Sequence, residues 1–141
     1  GEFQLTNALE IMKQKGVKFT PGAVDEWLDC GNKNATVNAN QRVLEFKKGD
    51  ASLKGSFKIV NSVVIEPCFI GNGVELVNSV VGPHASIGDN TKITSSVISN
   101  SIVQKNTKIS NSNIKNSMVG NFADIAGTAR ELSVGDYNTE N

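Results

Sequence analysis

The stretch Val81-Gly-Pro-His-Ala-Ser-Ile87-Gly-Asp-Asn-Thr-Lys-Ile93 places aliphatic residues six positions apart, and it decides the fold of most of the chain. Similar residues recur in three columns whose members are 16 or 17 positions apart. The columns are Val64, Val81, Ile98 and Ile114; Ile70, Ile87, Val103 and Val119; and Ile59, Leu76, Ile93, Ile109 and Ile125. Internal repeats of this kind indicate a solenoid, here a three-sided prism of about four coils with one inward aliphatic side chain per strand.

The residues between these aliphatic positions fit a narrow prism with tight corners. Small side chains stand two positions before many inward residues, at Cys68, Val74, Ala85, Thr91, Thr107 and Ala123. Glycine follows the inward residue at Gly71, Gly82, Gly88 and Gly120, where we expect it to provide the backbone angles of a turn. Asparagine recurs at equivalent positions, at Asn61, Asn78 and Asn111 (with Ser95 in the gap) and at Asn100 and Asn116. Asparagine adopts the left-handed conformation readily, so these positions predict corners with stacked, bonded amides.

The repeat resembles that of the hexapeptide-repeat superfamily of left-handed parallel β-helices. The resemblance implies the left hand, because the general rule for parallel crossovers predicts the opposite one. The Asn-Ser-Val-Val type of corner is similar to those in the appendages of sugar nucleotidyltransferases. The predicted fold is mainly β, with a left-handed parallel β-helix over residues 57–126. A small α/β remnant over residues 1–48 and a linker over 49–56 precede it, and a cap and tail over 127–141 follow it.

The first 48 residues have a different pattern. Apolar residues at helical spacing predict a first helix that ends before Gly16; they are Leu5, Ala8, Leu9 and Met12. We expect strands at Val17–Phe19 and from Val24 to Leu28, and a second helix from about Lys33 to Lys47, with Asn32 before it and Gly49 after it. Two helices and two strands make a poor independent core, which predicts the end of a larger α/β domain.

Two stretches of this segment carry a second resemblance. Glu2-Phe-Gln-Leu-Thr-Asn-Ala-Leu9 is similar to the E-x-x-L-T-D-A-L segment of hexose-1-phosphate nucleotidyltransferases. Trp27-Leu-Asp-Cys-Gly-Asn32, with the later Ala39-Asn40 and Val43-Leu44, is similar to their W-x-D-x-G-T … A-N … L segment. The glucose-1-phosphate thymidylyltransferase-like members match best, with uridylyl and guanylyl relatives close behind. Together the two resemblances cover nearly the whole chain.

The resemblance implies a reaction in which a sugar 1-phosphate attacks a nucleoside triphosphate, giving a nucleotide sugar and pyrophosphate, with Mg²⁺ neutralising charge. The metal-binding Asp of the family corresponds to Asn7, whose amide brings no charge. Asn7 is alternatively the N-cap of the first helix, with Glu10 completing a capping box. The resemblance places Asp29 near the sugar phosphate and the metal, and its alternative is a turn that caps the next helix. Trp27 is expected to be a packing residue, and its alternative is a platform for the sugar.

The family's nucleotide-binding features are not found in this sequence. It has no glycine-rich loop followed by Arg and a Pro-Lys-Pro segment, and Gly71-Asn-Gly73 falls on a solenoid corner without a following helix. We therefore expect a C-terminal piece that lacks the domain binding the triphosphate and the sugar 1-phosphate. Such a piece is predicted to be inactive alone and to bind no cofactor, with Mg²⁺ belonging to the whole enzyme.

Two other functions remain open at this point. Many hexapeptide-repeat proteins are acyltransferases that use a His as general base with acyl-CoA, and His84 is the one candidate. The even repeat, however, leaves no room for the loop that often shapes an acyltransferase cleft. The rod is alternatively an oligomerisation device, because outward apolar residues form a predicted stripe. These are Val63, Val80, Val97, Ile102 and Met118.

Composition narrows the possible partners and compartment. Acidic and basic residues number 14 each, so no net positive charge favours nucleic acid or an anionic membrane. No apolar run has the length of a membrane span, and no signal-peptide pattern is found. Cys30 and Cys68 stand far apart and are predicted to be reduced thiols of a cytoplasmic protein. At the C-terminus, Leu132-Ser-Val-Gly-Asp-Tyr137 predicts a last capping strand, and residues 138–141 are predicted to be disordered.

Overall fold

A computed structural model describes residues 4–50, 54–127 and 133–140 of the chain. Within these ranges, helices α1 (Leu5–Gln14) and α2 (Lys33–Phe46) come before a series of short β-strands. The strands form three parallel sheets that wrap into a β-solenoid of about four turns. Neither helix is long and apolar enough to cross a membrane.

Each sheet contributes one side of the solenoid. The first contains β1 (Lys58–Val60), β4 (Glu75–Val77), β7 (Lys92–Thr94), β10 (Lys108–Ser110), β13 (Asp124–Ala126) and β15 (Thr139–Glu140). The second contains β2 (Val63–Val64), β5 (Val80–Val81), β8 (Val97–Ser99) and β11 (Asn113–Lys115). The third contains β3 (Phe69–Ile70), β6 (Ser86–Ile87), β9 (Ile102–Val103), β12 (Met118–Val119) and β14 (Ser133–Val134).

The strand registers confirm the three aliphatic columns. Leu76 aligns with Ile59 and Ile93, and the other two columns align in the same way through every turn. The column residues of the inner turns are buried, together with the predicted small residues such as Ala85 and Thr91. Ile59 is 45% exposed because it belongs to the first turn, where no coil lies below it. The apolar core is therefore one continuous column along the solenoid axis.

The corners confirm the prediction for asparagine. The residues other than glycine with positive φ include Asn61, Asn78, Ser95 and Asn111 in one column, and His84, Asn100 and Asn116 in another. The amide of Asn61 donates to Asn78 Oδ1 at 2.8 Å, and that of Asn100 donates to Asn116 Oδ1 at 2.8 Å. Stacked amides therefore bond successive turns, as the repeat predicted.

Serine forms a second ladder that the sequence reasoning missed. The backbone N–H of Ser79 donates to Ser62 Oγ at 2.9 Å, and that of Ser96 donates to Ser79 Oγ at 3.1 Å. Ser112 continues the series on Ser96. The signal was available, because a serine follows the corner residue in each of these turns.

The role predicted for glycine was wrong at three of the four positions. Among them, only Gly82 has a positive φ, of 109°. At Gly88 an added Cβ would lie 2.6 Å from the backbone N of Lys105, and Gly71 and Gly120 are equally close to the next turn. Glycine is required there because the backbones of successive turns approach too closely for a side chain.

Several local predictions also differ from the structure. Both helices are confirmed, but Val17–Phe19 and Val24–Leu28 form no strand, because no neighbouring segment of the described chain pairs with them. Asn7 is not an N-cap: α1 begins after Gln4, which places Asn7 inside the helix. Asn32 does cap α2, where its Oδ1 accepts the N–H of Ala35 at 3.0 Å.

The last turn is more ordered than predicted. Ser133–Val134 pairs with β12, which confirms a capping strand, although Leu132 lies outside the described residues. Thr139–Glu140 pairs with β13 and extends the first sheet, so the prediction of disorder was wrong for these two residues. Asn141 is not among the described residues.

Candidate functional site

Helix α2 packs along the solenoid corner that carries His84, Asn100 and Asn116. Asn40 is the central contact: its Nδ2 donates to the backbone oxygen of His84 at 3.2 Å, and its Oδ1 accepts the hydroxyl of Ser86 at 2.6 Å. On the same helix, Val37 and Leu44 are buried. These contacts join the N-terminal segment to the second turn of the solenoid.

His84 contacts a carboxylate at this corner. Its Nε2 lies 2.5 Å from Glu45 Oε1, and its side chain is 17% exposed. The hydrogen bond from His84 is the main cause that lowers the pKa of Glu45 below its ordinary value. The backbone N–H of His84 donates to Pro67 O at 2.8 Å, which fixes the corner on the turn below. The geometry gives His84 a clear structural role, and its predicted role as an acyltransferase base stays a prediction.

A cavity lies beside these contacts, between α2 and the corner. Its volume is about 310 Å³, and its lining residues are Asn34, Val37, Asn38, Gln41, Asn100 and Asn116. The sequence pattern predicted the asparagines of the corner only as turn residues, and it did not predict that α2 lies over them. The repeated amides of α2, at positions 34, 38 and 41, were the available signal, since this spacing puts them on one helix face.

The structure places Asp29 in a turn before α2. Its Oδ1 accepts the N–H of Gly31 at 3.0 Å, and the residue is exposed. Asn7 lies on α1, which buries none of its residues. Nowhere in the described ranges do three or more His, Cys, Asp or Glu side chains come together to hold a metal ion. The metal and substrate roles of Asn7 and Asp29 stay predictions.

The segment before α2 exposes large apolar side chains. Trp27 is 84% exposed and Leu5 is 75% exposed, so the predicted packing partner of Trp27 is not in the described part of the chain. The end of this segment does contact α2, because Arg42 Nε donates to Glu26 Oε1 at 2.8 Å and Thr36 Oγ1 donates to Cys30 O at 3.1 Å.

The outward apolar residues do not form the single stripe that the sequence predicted. Val63, Val80 and Val97 align on the second sheet, where Val63 is 56% exposed. Ile102 and Met118 align on the third sheet, around the corner that α2 covers. The repeat explains the difference, because these outward apolar positions fall on two different sides of the prism.

Comparison with known proteins agrees with the motifs. No family model matches the chain. The glucose-1-phosphate thymidylyltransferase of Streptomyces antibioticus is similar to it, with 26% identity over 118 residues. The match covers 73% of this chain and 33% of the relative, so the chain spans about a third of the length of that protein. The chain is a distant homologue of a sugar nucleotidyltransferase and has a β-helix fold.

Proposed function

We propose that this chain is the β-helix portion, with the preceding helices, of a sugar-1-phosphate nucleotidyltransferase. The whole enzyme would convert a nucleoside triphosphate and a sugar 1-phosphate into a nucleotide sugar and pyrophosphate. The solenoid would serve as a structural and oligomerisation appendage, and the chain alone would be inactive. The similarity to a thymidylyltransferase supports this proposal at the level of the whole protein.

The observation that carries the proposal is the contrast between the two parts of the chain. The solenoid has a continuous buried core, whereas α1 buries no residue and Trp27 and Val24 are largely exposed. Large apolar side chains usually pack, and a contiguous exposed set marks an interaction surface. A catalytic domain that provides the remaining α/β core would cover these side chains. It would also supply the groups that bind the triphosphate and Mg²⁺, beside which Asp29 and Asn7 would lie.

The oligomeric role rests on the second sheet. Val63, Val80 and Val97 form an aligned row of outward β-branched side chains, and an apolar surface of this kind suits contact with another subunit. We also propose a cytoplasmic location, which is consistent with Cys30 and Cys68 being free thiols. The acyltransferase alternative has less support, because α2 partly covers His84 and Glu45 occupies its Nε2.

Thermal-shift measurements on the purified chain test the proposal. The panel contains dTTP, UTP, dTDP-glucose, UDP-glucose and coenzyme A, each with and without Mg²⁺, because a ligand that binds only the native state raises Tm. We expect no Tm increase with any nucleotide. A separate assay of the chain with dTTP and glucose 1-phosphate should detect no pyrophosphate release. A Tm increase with coenzyme A that is lost in His84→Ala would contradict the proposal and support an acyltransferase.

A further inference from the structure

We infer that the cavity between α2 and the Asn100–Asn116 corner binds a small, neutral, polyhydroxylated molecule of the size of a hexose. Its volume of about 310 Å³ lies within the range of about 300–1,000 Å³ usual for small-molecule sites. The proposed role in nucleotidyl transfer makes no use of this cavity. Ligand binding in the cavity can therefore be tested independently of that role.

The lining chemistry defines the ligand class. Five of the six lining residues are carboxamides, and the sixth is Val37. Each amide has two N–H donors and one carbonyl acceptor, which matches hydroxyl groups that both donate and accept. None of the six side chains carries a charge, so the cavity offers no group to neutralise a phosphate. A neutral sugar fits this set better than a sugar phosphate or a nucleotide.

Asn100 provides a second, independent indication of a ligand. Its Nδ2 donates to Asn116 Oδ1 at 2.8 Å, whereas its own Oδ1 is buried and accepts no hydrogen bond from any residue that the structure describes. A buried acceptor without a donor is destabilising, so native structures usually satisfy such atoms. Because this Oδ1 is closed to solvent, a ligand hydroxyl would satisfy it once the Asn100 amide turns toward the cavity that the residue lines.

The opposite wall of the cavity is preorganised. Asn34, Asn38 and Gln41 are spaced so that they share one face of α2. The helix is held over the corner by the bonds of Asn40 to His84 and Ser86. Because the helix backbone is held in place, only the side-chain rotamers of these amides have to be ordered when they bind a ligand. Val37, which is buried, supplies an apolar surface for the C–H face of a sugar ring.

The test is an NMR titration of the side-chain amide signals of the full chain with D-glucose. We expect the amide signals of Gln41, Asn38 and Asn100 to shift and to saturate at millimolar glucose. Glucose 1-phosphate should cause no saturable shift of these signals. Gln41→Leu and Asn38→Leu should each weaken glucose binding roughly tenfold or more. Gln14→Leu, which removes an exposed amide from α1, is the matched control and should leave binding unchanged.

Three results would overturn the inference. The first is the absence of saturable shifts with glucose, which would mean that only water fills the cavity. The second is glucose binding that is equally tight in Gln41→Leu and Asn38→Leu. The third is equal binding of glucose 1-phosphate, since an uncharged lining should not accept it. Melting curves of both variants show whether they remain folded, and two separate variants keep the test decisive if one of them unfolds.

Discussion

His84 Nε2 and Glu45 Oε1 lie 2.5 Å apart and join a solenoid corner to the last turn of α2. The two residues are separated by 39 positions in the sequence, and each belongs to a segment with a different fold. Together with the bonds of Asn40, this contact makes α2 part of the solenoid surface. It also gives the attachment of α2 a dependence on pH.

The first prediction concerns that pH dependence. The pKa of Glu45 is lowered from its ordinary value of 4.5, mainly by the hydrogen bond from His84. A carboxylate with a depressed folded-state pKa stabilises the protein above its unfolded pKa, and this stabilisation is lost as pH falls through the folded value. The Tm difference between the wild type and Glu45→Gln should therefore be present above pH 4.5 and disappear below it. Glu10→Gln on α1 is the control, and a Tm difference independent of pH would contradict the assignment.

The second prediction concerns the close approach of successive turns. Gly88→Ala would place a Cβ 2.6 Å from the backbone N of Lys105, and backbone cannot move aside cheaply. Overpacking of this kind costs about 1–3 kcal/mol of unfolding free energy. Gly22→Ala is the matched control, because nothing lies within 4 Å of its added Cβ. Urea denaturation measures both variants, and equal stability would show that the turns do not require glycine at position 88.

The third prediction uses two positions of one column. Ile93 is fully buried in an inner turn, whereas Ile59 is 45% exposed in the first turn. Ile93→Ala should lower the free energy of unfolding by about 2–5 kcal/mol, as expected for a buried aliphatic side chain. Ile59→Ala removes the same atoms from a partly solvated site and should cost less than half as much. Chemical denaturation compares the two variants, and equal costs would argue against a core that runs along the solenoid axis.

The fourth prediction separates the two functions of a corner asparagine. Asn78 has a φ of 51°, and its Oδ1 accepts the amide of Asn61. Asn78→Gly keeps the backbone conformation and loses the hydrogen bond, whereas Asn78→Ala loses both. The left-handed conformation costs a residue with a Cβ about 1–2 kcal/mol, so the alanine variant should be the less stable one. Thermal melting decides the order, and a more stable alanine variant would mean that backbone conformation does not select asparagine here.

The fold of the solenoid was predictable because its signal is local and repeated. Ile87 and Ile93 are six positions apart, and each position is confirmed by equivalents one turn away. The role of Gly88 was missed because its constraint comes from Lys105, 17 positions later, and not from its own backbone angles. The residues 17–19 and 24–28 have strand-like composition, but a strand also needs a hydrogen-bonded neighbour.

The candidate site was less predictable than the fold. Periodicity places Asn100 and Asn116 at a corner, but it does not show that α2 covers that corner. The docking depends on contacts of Asn40 with His84 and Ser86, 44 and 46 positions away, which no local pattern encodes. The resemblance to nucleotidyltransferases predicted a substrate and metal role for Asp29. The structure shows a hydrogen bond from the N–H of Gly31 to its carboxylate.

The most direct test of the proposed function is a chimera of the Streptomyces antibioticus thymidylyltransferase in which this chain replaces the matched third of that protein. We predict that the chimera releases pyrophosphate from dTTP and glucose 1-phosphate. Trp27→Asp, which would disturb the covered surface, should lower the rate roughly tenfold or more. Tyr137→Asp, which removes the exposed ring that stacks on Phe122 in the last turn, should not. A chimera that melts cooperatively but releases no pyrophosphate, or one that is indifferent to Trp27→Asp, would contradict the account.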